Sequence, residues 1–233
     1  TLWLMPFHPI GSRLDGNHGE VGSPYSIKNM WKVAEHLGDN GTRDGAMQEF
    51  KAFMSAAEAK GVNVMFDTIF NHTAKDAEIE RDPAAPMFLA GSPLAQVRNV
   101  RPNWYSRYTG NGACFWNSDT GGSPPYEYWA TASHAGQVGP APADRHDFGK
   151  WCDTIDLYWG SYSALGNPQR EADGMWGASA DVRQMTEYYA YFFQYWLEQT
   201  DYSIDGFRCD FAQGLPPQAW EYLVNKAKSL KPE

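Results

Sequence analysis

The segment VNVMFDTIFNH, residues 62–72, sets an apolar run directly before a group of polar side chains. A second strand-like segment, IDGFRCDF at residues 204–211, carries Arg208 and Asp210 toward its carboxyl end. Short apolar runs of about 4–8 residues, bounded by turn signals, are typical of strands buried in a parallel sheet. The two segments therefore predict two buried strands with polar carboxyl ends.

Helical patterns lie next to both strands. Apolar residues repeat at the period of an amphipathic helix between positions 46 and 57, and again between positions 185 and 196. Gly61 ends the first pattern, and the pair Pro216-Pro217 predicts the start of a last helix. A succession of strand, helix and strand predicts the α/β class, a parallel sheet covered by helices.

The remaining segments of the chain predict a further strand, a short helix and an inserted subdomain. TLWLMPF, residues 1–7, predicts a buried strand, and a short helix is expected near residues 27–37 within a long loop. Between residues 73 and 179 more than a hundred residues follow no sustained period, which is too long for an ordinary loop and indicates an inserted subdomain. The chain is thus predicted to divide into three parts: 1–72, 73–179 and 180–233.

Charge and composition narrow the classes of partner. Among 233 residues, 28 are acidic and 19 are Lys or Arg, a net charge of −9 that argues against nucleic acid or an anionic membrane as partner. No apolar run approaches the roughly 20 residues of a membrane helix. Three cysteines without a CxxC pair exclude a structural zinc site and leave one disulfide open. Aromatic residues form 15% of the chain, a density that suits a core or platforms for sugars.

Two charged residues in the second strand segment suggest chemistry. Arg208 and Asp210 are two positions apart, so both side chains project from the same face of a strand. A guanidinium beside a carboxylate keeps that carboxylate ionised and oriented, as the nucleophile of a retaining glycosidase must be. A purely structural ion pair at a strand end is the alternative, and the pair Asn71-His72 has the same two interpretations.

The two motifs resemble a known family. Asp67-x-x-x-Asn71-His72 and Gly206-Phe-Arg208-x-Asp210 are similar to two signatures of the α-amylase superfamily, glycoside hydrolase family 13. The catalytic domain of that family is a (β/α)8 TIM barrel. The resemblance implies that this chain is a segment of such a barrel, from its second to its fourth strand. It also implies that a domain-B-like insertion follows the third barrel strand.

Shorter stretches support the same alignment. LWLMPF, residues 2–7, resembles the second barrel strand, and GSPYSI, residues 22–27, resembles the loop after it. DTIDLYW, residues 153–159, resembles a short region near the end of domain B.

The resemblance assigns roles residue by residue. It implies that Asp210 is the nucleophile and that Arg208 orients it. It implies that His72 binds the sugar in the reacting subsite, that Tyr25 stacks beneath that sugar, and that Asp67 is a supporting carboxylate near Arg208.

The resemblance also implies a metal ligand. At two places this sequence differs from the pattern of the family. Asn71 corresponds to a ligand of a structural calcium, whereas the reaction itself requires no cofactor. Gln213 and Gly214 stand where many amylases carry Lys-His. The family's general acid, a Glu on the fifth barrel strand, has no counterpart here, since Glu233 follows no strand. The remainder of the barrel is therefore expected from a longer parent polypeptide, and residues 1–233 alone are expected to release no reducing sugar from starch.

Two functions follow as hypotheses. The first is a retaining glycoside hydrolase or transglycosylase that acts on α-glucans or maltooligosaccharides. The alternative is a non-catalytic α-amylase-like protein that binds carbohydrate or a partner. The sequence leaves the compartment open among secreted, periplasmic and cytoplasmic.

Overall fold

The computed structural model describes residues 1–12, 23–74, 76–80, 94–97, 101, 104, 154–157, 159, 180–198, 203–210, 212, 215 and 217–232. Their regular elements are β1 (Leu2–Leu4), a 3-10 turn (Glu35–Leu37), α1 (Arg43–Ala59), β2 (Val64–Ile69), β3 (His72–Ala74), β4 (Glu78–Glu80), β5 (Leu94–Gln96), β6 (Thr154–Asp156), α2 (Ala180–Leu197), β7 (Gly206–Asp210) and α3 (Pro217–Leu230). Of the helices described, none combines the length and apolar character that crossing a bilayer requires.

A three-stranded parallel sheet forms the centre of the described structure, in the order β1-β2-β7. β1 and β2 are connected through α1, and β2 and β7 are connected through α2. In the register, Trp3 lies opposite Met65 on the neighbouring strand, and Asp67 lies opposite Arg208. The predicted α/β class is confirmed.

Local sequence explains where α1 begins and ends. The Thr42 side chain accepts a hydrogen bond from the Gly45 backbone N–H and caps the first turn. The helix stops before Gly61, whose φ of +66° lies in the left-handed region that glycine adopts without a steric penalty. The predicted end of this helix at Gly61 is confirmed.

Aromatic side chains fill the space between the sheet and α2. Trp196 is fully buried, and its ring centroid lies 5.3 Å from that of Phe66, 5.8 Å from that of Phe7 and 5.9 Å from that of Phe50. The indole N–H of Trp196 donates to the Met30 carbonyl oxygen at 3.1 Å. A large share of the aromatic composition in the described residues therefore serves the core.

The opposite face of the sheet carries the polar residues. Because side chains alternate along a strand, Met65 and Asp67 project away from Phe66 and the helices. Trp3, Arg208 and Asp210 share that side by register. We refer to this side, with Trp3, Met65, Asp67, Arg208 and Asp210, as the open face.

Two expectations about the N-terminal part are wrong. Residues 1–7 do not form a buried strand: only Leu2–Leu4 is extended in a ladder, and Leu2, Trp3 and Met5 are between 43% and 57% exposed, because β1 is an edge of the described sheet. The short helix near residues 27–37 is reduced to a single 3-10 turn.

Hydrogen bonds outside a helix explain the missing turns. The backbone N–H groups of Lys28 and Asn29 donate to the Pro9 carbonyl oxygen at 2.7 and 3.4 Å. The Asn29 side chain accepts from the Trp31 N–H at 2.9 Å. Such side-chain bonds to a backbone N–H two residues on favour turns over helix.

Along the chain, two small antiparallel strand pairs are formed by segments between β2 and α2. β3 pairs with β6, with His72 opposite Asp156, and β4 pairs with β5. The first of these pairs joins the beginning of the predicted insertion to residues near its end. The division into 1–72, 73–179 and 180–233 stays a prediction, because residues 105–153 and 160–179 lie outside the described part.

His8, just after β1, makes the folded protein sensitive to acid. Its ring is buried between the rings of Phe66 and Trp196, and its Nδ1 lies 3.0 Å from the Lys32 carbonyl oxygen. Burial lowers the pKa of His8 from 6.5 to about 4. Between these values the unfolded chain binds a proton that the folded chain does not, so we expect the free energy of unfolding to fall as the pH falls, by up to about 3 kcal/mol.

Chemical denaturation from pH 7 to pH 4 measures this dependence. His8→Asn is expected to make the slope in that window shallower, whereas His36→Asn, at an exposed site, is expected to keep it. Parallel slopes in the wild type and His8→Asn would contradict the assignment.

Candidate active site

Asp67 and Arg208 meet at the carboxyl ends of β2 and β7. Their positions are opposite each other in the parallel register, although 141 residues separate them along the chain. Nη1 of Arg208 donates to both oxygens of Asp67, at 2.9 and 3.1 Å. The same nitrogen donates to Oδ1 of Asp210. One guanidinium nitrogen therefore bridges two carboxylates.

The carboxylate of Asp67 is fully buried and is stabilised by its donors. Besides Arg208, the Tyr25 hydroxyl donates to Oδ2 of Asp67 at 3.2 Å. A buried carboxylate is costly unless charge and hydrogen bonds compensate it, and here they do. Burial and the neighbouring Asp67 raise the pKa of Tyr25, and the hydrogen bond to Asp67 raises the pKa of Arg208, so both donors keep their protons at neutral pH.

His72 is held in one tautomer. Its Nε2 lies 3.0 Å from the Tyr25 carbonyl oxygen. Burial lowers the pKa of His72 to about 4, so the ring is neutral at pH 7. Because a carbonyl only accepts, Nε2 carries the proton and Nδ1 is the unprotonated nitrogen.

The segment that carries Tyr25 is bound to the end of β3 and to the residues that follow it. The Ala74 N–H donates to the Ile27 carbonyl oxygen at 2.9 Å, and the Glu78 N–H donates to that of Lys28 at 2.7 Å. Lys28 also forms an ion pair with Asp76, with 2.9 Å between Nζ and Oδ2. These contacts fix the position of Tyr25 relative to His72.

Trp3 contacts this cluster and was not predicted from the sequence as a site residue. The Cζ atom of Arg208 lies 5.7 Å from the centroid of the Trp3 ring. The signal available in the sequence was strand alternation, which places Trp3 on one side of β1. The register with β2 and β7, which brings it to Arg208, is not visible in the sequence.

Asn71 is set apart from these residues. Its side chain is buried, and neither Oδ1 nor Nδ2 has a hydrogen-bond partner in the described part of the chain. A buried amide without a partner suits an oxygen ligand for a hard cation such as calcium. Within the same described part, no group of three or more His, Cys, Asp or Glu side chains could hold a metal ion.

The structure thus brings together most of the predicted site residues. Tyr25, Asp67, Arg208 and Asp210 form one connected cluster, which His72 joins through the Tyr25 carbonyl. Asn71 shares no hydrogen bond with the cluster. Gln213, Gly214 and Glu233 lie outside the described residues.

Comparison with known proteins agrees with the geometry. The family model "Alpha amylase, catalytic domain" matches residues 1–228. An alpha-amylase of Streptomyces lividans is 26% identical over 224 residues, which is 94% of this chain and 22% of that protein. An alpha-1,4-glucan:maltose-1-phosphate maltosyltransferase of Chlorobaculum tepidum is 30% identical over 88 residues, 36% of this chain and 13% of that protein.

A solved structure has the same fold. A maltogenic alpha-amylase from Thermotoga neapolitana superposes with a TM-score of 0.51 at 22% identity, covering 98% of this chain and 35% of that chain. The chain therefore spans between about a fifth and a third of the alpha-amylases it matches over nearly its whole length. Relatives of this kind imply that the described parallel sheet is part of a (β/α)8 barrel. With a family match over residues 1–228, the chain belongs to the alpha-amylase catalytic-domain family.

Proposed function

We propose that this chain supplies the nucleophile, and the groups that orient it, to a retaining enzyme that hydrolyses or transfers α-glucosyl units. The observation that carries the proposal is the bridge by Arg208 between the buried Asp67 and the more accessible Asp210. Polar residues at the carboxyl ends of barrel strands are where TIM-barrel enzymes bind and react with substrates. One relative is named an alpha-amylase and another a maltosyltransferase, which supports both hydrolysis and transfer as the reaction that follows attack by the nucleophile.

Asp210 is the proposed nucleophile. Its carboxylate oxygen forms a bond to the anomeric carbon while the bond from that carbon to the leaving oxygen breaks. A carboxylic acid protonates the leaving oxygen, and family resemblance assigns this role to a Glu on the next barrel strand. In the second step that residue, now a carboxylate, removes a proton from water or from a sugar hydroxyl, which attacks the anomeric carbon and releases Asp210.

Arg208 and Asp67 are proposed to orient the nucleophile. The guanidinium donates to an oxygen of Asp210 and to both oxygens of Asp67, and so holds the Asp210 carboxylate in one direction. Asp67 anchors the guanidinium from a fully buried position, so Arg208 cannot follow Asp210 when that residue bonds to the sugar. The site is therefore arranged before substrate arrives, which is the condition for electrostatic stabilisation of a transition state.

Tyr25 and His72 are proposed to bind the sugar that reacts. The Tyr25 ring provides an apolar surface for the sugar face, with its hydroxyl fixed by Asp67. The unprotonated Nδ1 of His72 can accept a hydrogen bond from a sugar hydroxyl, because Nε2 is used by the Tyr25 carbonyl.

Tyr25→Ala and His72→Ala are each expected to weaken binding of the transition state by about 2–4 kcal/mol, measured as kcat/KM on maltooligosaccharides. Tyr25→Phe separates the two contributions of Tyr25, since it keeps the ring and removes the bond to Asp67. Near-normal kcat/KM for both alanine variants would remove these residues from the proposed subsite.

The place of the strands in the barrel is part of the proposal. We assign β1, β2 and β7 as the second, third and fourth barrel strands, and residues 73–179 as an insertion of the domain-B type. The antiparallel pairing of β3 with β6 supports this assignment, because it joins the beginning of the insertion to residues near its end.

A structural calcium is proposed at Asn71. The amide oxygen Oδ1 would be one ligand, and the ion would supply positive charge to a buried polar group that has no partner among the described residues. The ion takes no part in the reaction proposed for Asp210.

Incubation of the complete polypeptide with maltoheptaose tests the function. Shorter products alone indicate hydrolysis, and chains longer than the substrate indicate transfer. Binding of maltoheptaose without any new product would favour the non-catalytic alternative and contradict the proposal.

A further inference from the structure

We propose that Trp3 is a positioning residue for Arg208, whose guanidinium it holds in place through a cation–π contact. The inference rests on the proposed function, because it concerns the orientation of the same Asp210. The distance of 5.7 Å between Cζ of Arg208 and the centroid of the Trp3 ring lies within the range of roughly 6 Å in which such contacts are attractive.

The register of the sheet creates this contact. Trp3 lies opposite Met65, two positions before Asp67, and Arg208 lies opposite Asp67 on the other side of β2. All four side chains are on the open face, and Arg208 is long enough to reach across the middle strand. Tryptophan offers the most attractive ring face of the aromatic residues to a cation.

Trp3 is not part of the core that the described residues form. The residue is 57% exposed, and it is absent from the cluster of buried hydrophobic residues around Trp196 and Phe66. The described part of the chain provides no ring–ring partner for it, in contrast to those two core residues. Among the described residues, the contact with Arg208 is therefore the interaction that gives the Trp3 ring a role.

The hydrogen bonds of Arg208 explain why a second contact matters. All of its hydrogen bonds to described residues come from Nη1, which serves both Asp67 and Asp210. Bonds at one nitrogen fix one corner of a planar group and leave the tilt of its plane open. The Trp3 ring provides the second point of contact, which fixes the plane and so the direction of the N–H groups toward Asp210.

Site-specific incorporation of tryptophans with increasing fluorine content at position 3 tests the proposal in the complete polypeptide. Fluorine weakens the negative ring face with little change in shape, so a cation–π role predicts a stepwise fall in kcat, by about 3- to 30-fold across the series, with KM nearly constant. The rate of covalent labelling by a slow fluorinated α-glucosyl substrate is expected to fall in parallel. Trp3→Phe should retain more of the rate than Trp3→Leu.

The same series at Trp196 is the control, since that ring packs on the other face of the sheet. A flat response at both positions would overturn the role of Trp3, and the series remains informative if Trp3→Leu does not fold. Loss of activity in Asp210→Asn together with a flat Trp3 series refutes only this inference. Full activity of Asp210→Asn refutes the proposed function and this inference with it.

Discussion

Replacing Asp210 with Asn is expected to lower the turnover of the complete polypeptide by several orders of magnitude. The amide has nearly the same shape as the carboxylate but lacks the anionic oxygen that attacks the anomeric carbon. The free energy of unfolding is expected to change by no more than about 1 kcal/mol, because the pair with the 42% exposed Arg208 is partly screened by solvent.

Asp44→Asn is the matched control for this substitution. Its side chain is 91% exposed on the first turn of α1, so the same change of charge should leave turnover as it is. In the wild type, a slow fluorinated α-glucosyl substrate is expected to label Asp210, which peptide mass mapping would locate. Labelling of another carboxylate, or substantial turnover by Asp210→Asn, would rule out this nucleophile.

Trp196→Ala is expected to lower the free energy of unfolding by about 3–5 kcal/mol. The substitution removes a fully buried indole that contacts rings from the segment after β1, from α1 and from β2. It also leaves the Met30 carbonyl oxygen without the donor that it has in the wild type.

Denaturant unfolding of the complete polypeptide measures this loss. Trp196→Phe should cost less, because it keeps a ring in the same place. Phe53→Ala, which removes a ring that is 37% exposed on α1, should have a small effect. A cost below about 1 kcal/mol for Trp196→Ala would mean that α2 does not depend on this packing.

Local patterns predicted the parallel sheet and its covering helices, and the structure explains where they failed. The repeats in α1 and α2 are long enough for periodicity to identify them. The segment near residues 27–37 does not form the predicted helix, because the side chain of Asn29 and the distant carbonyl of Pro9 accept hydrogen bonds from its backbone N–H groups. An apolar run predicts a strand but does not reveal which strands flank it, and in the described sheet β1 has a neighbour on one side alone.

Spacing within one strand predicts which side chains of the site share a face, whereas the spacing along the chain between two strands does not predict which of their residues meet. The separation of Arg208 from Asp210 fixes their common side of a strand. The contact between Asp67 and Arg208 joins residues 141 positions apart, so only the resemblance suggested it. The hydrogen bond of His72 to a backbone carbonyl, and the ring of Trp3 beside Arg208, depend on how loops and strands meet in three dimensions.

The pairing of β3 with β6 has a consequence for how this protein can evolve. Because His72 lies opposite Asp156, the chain returns beside the strand that it left, whatever lies between. The entropic cost of closing a flexible loop grows only with the logarithm of its length, by about 0.6 kcal/mol for each doubling. Changes in the number of residues between these two short strands therefore cost little free energy and need not displace Asp67 or Asp210.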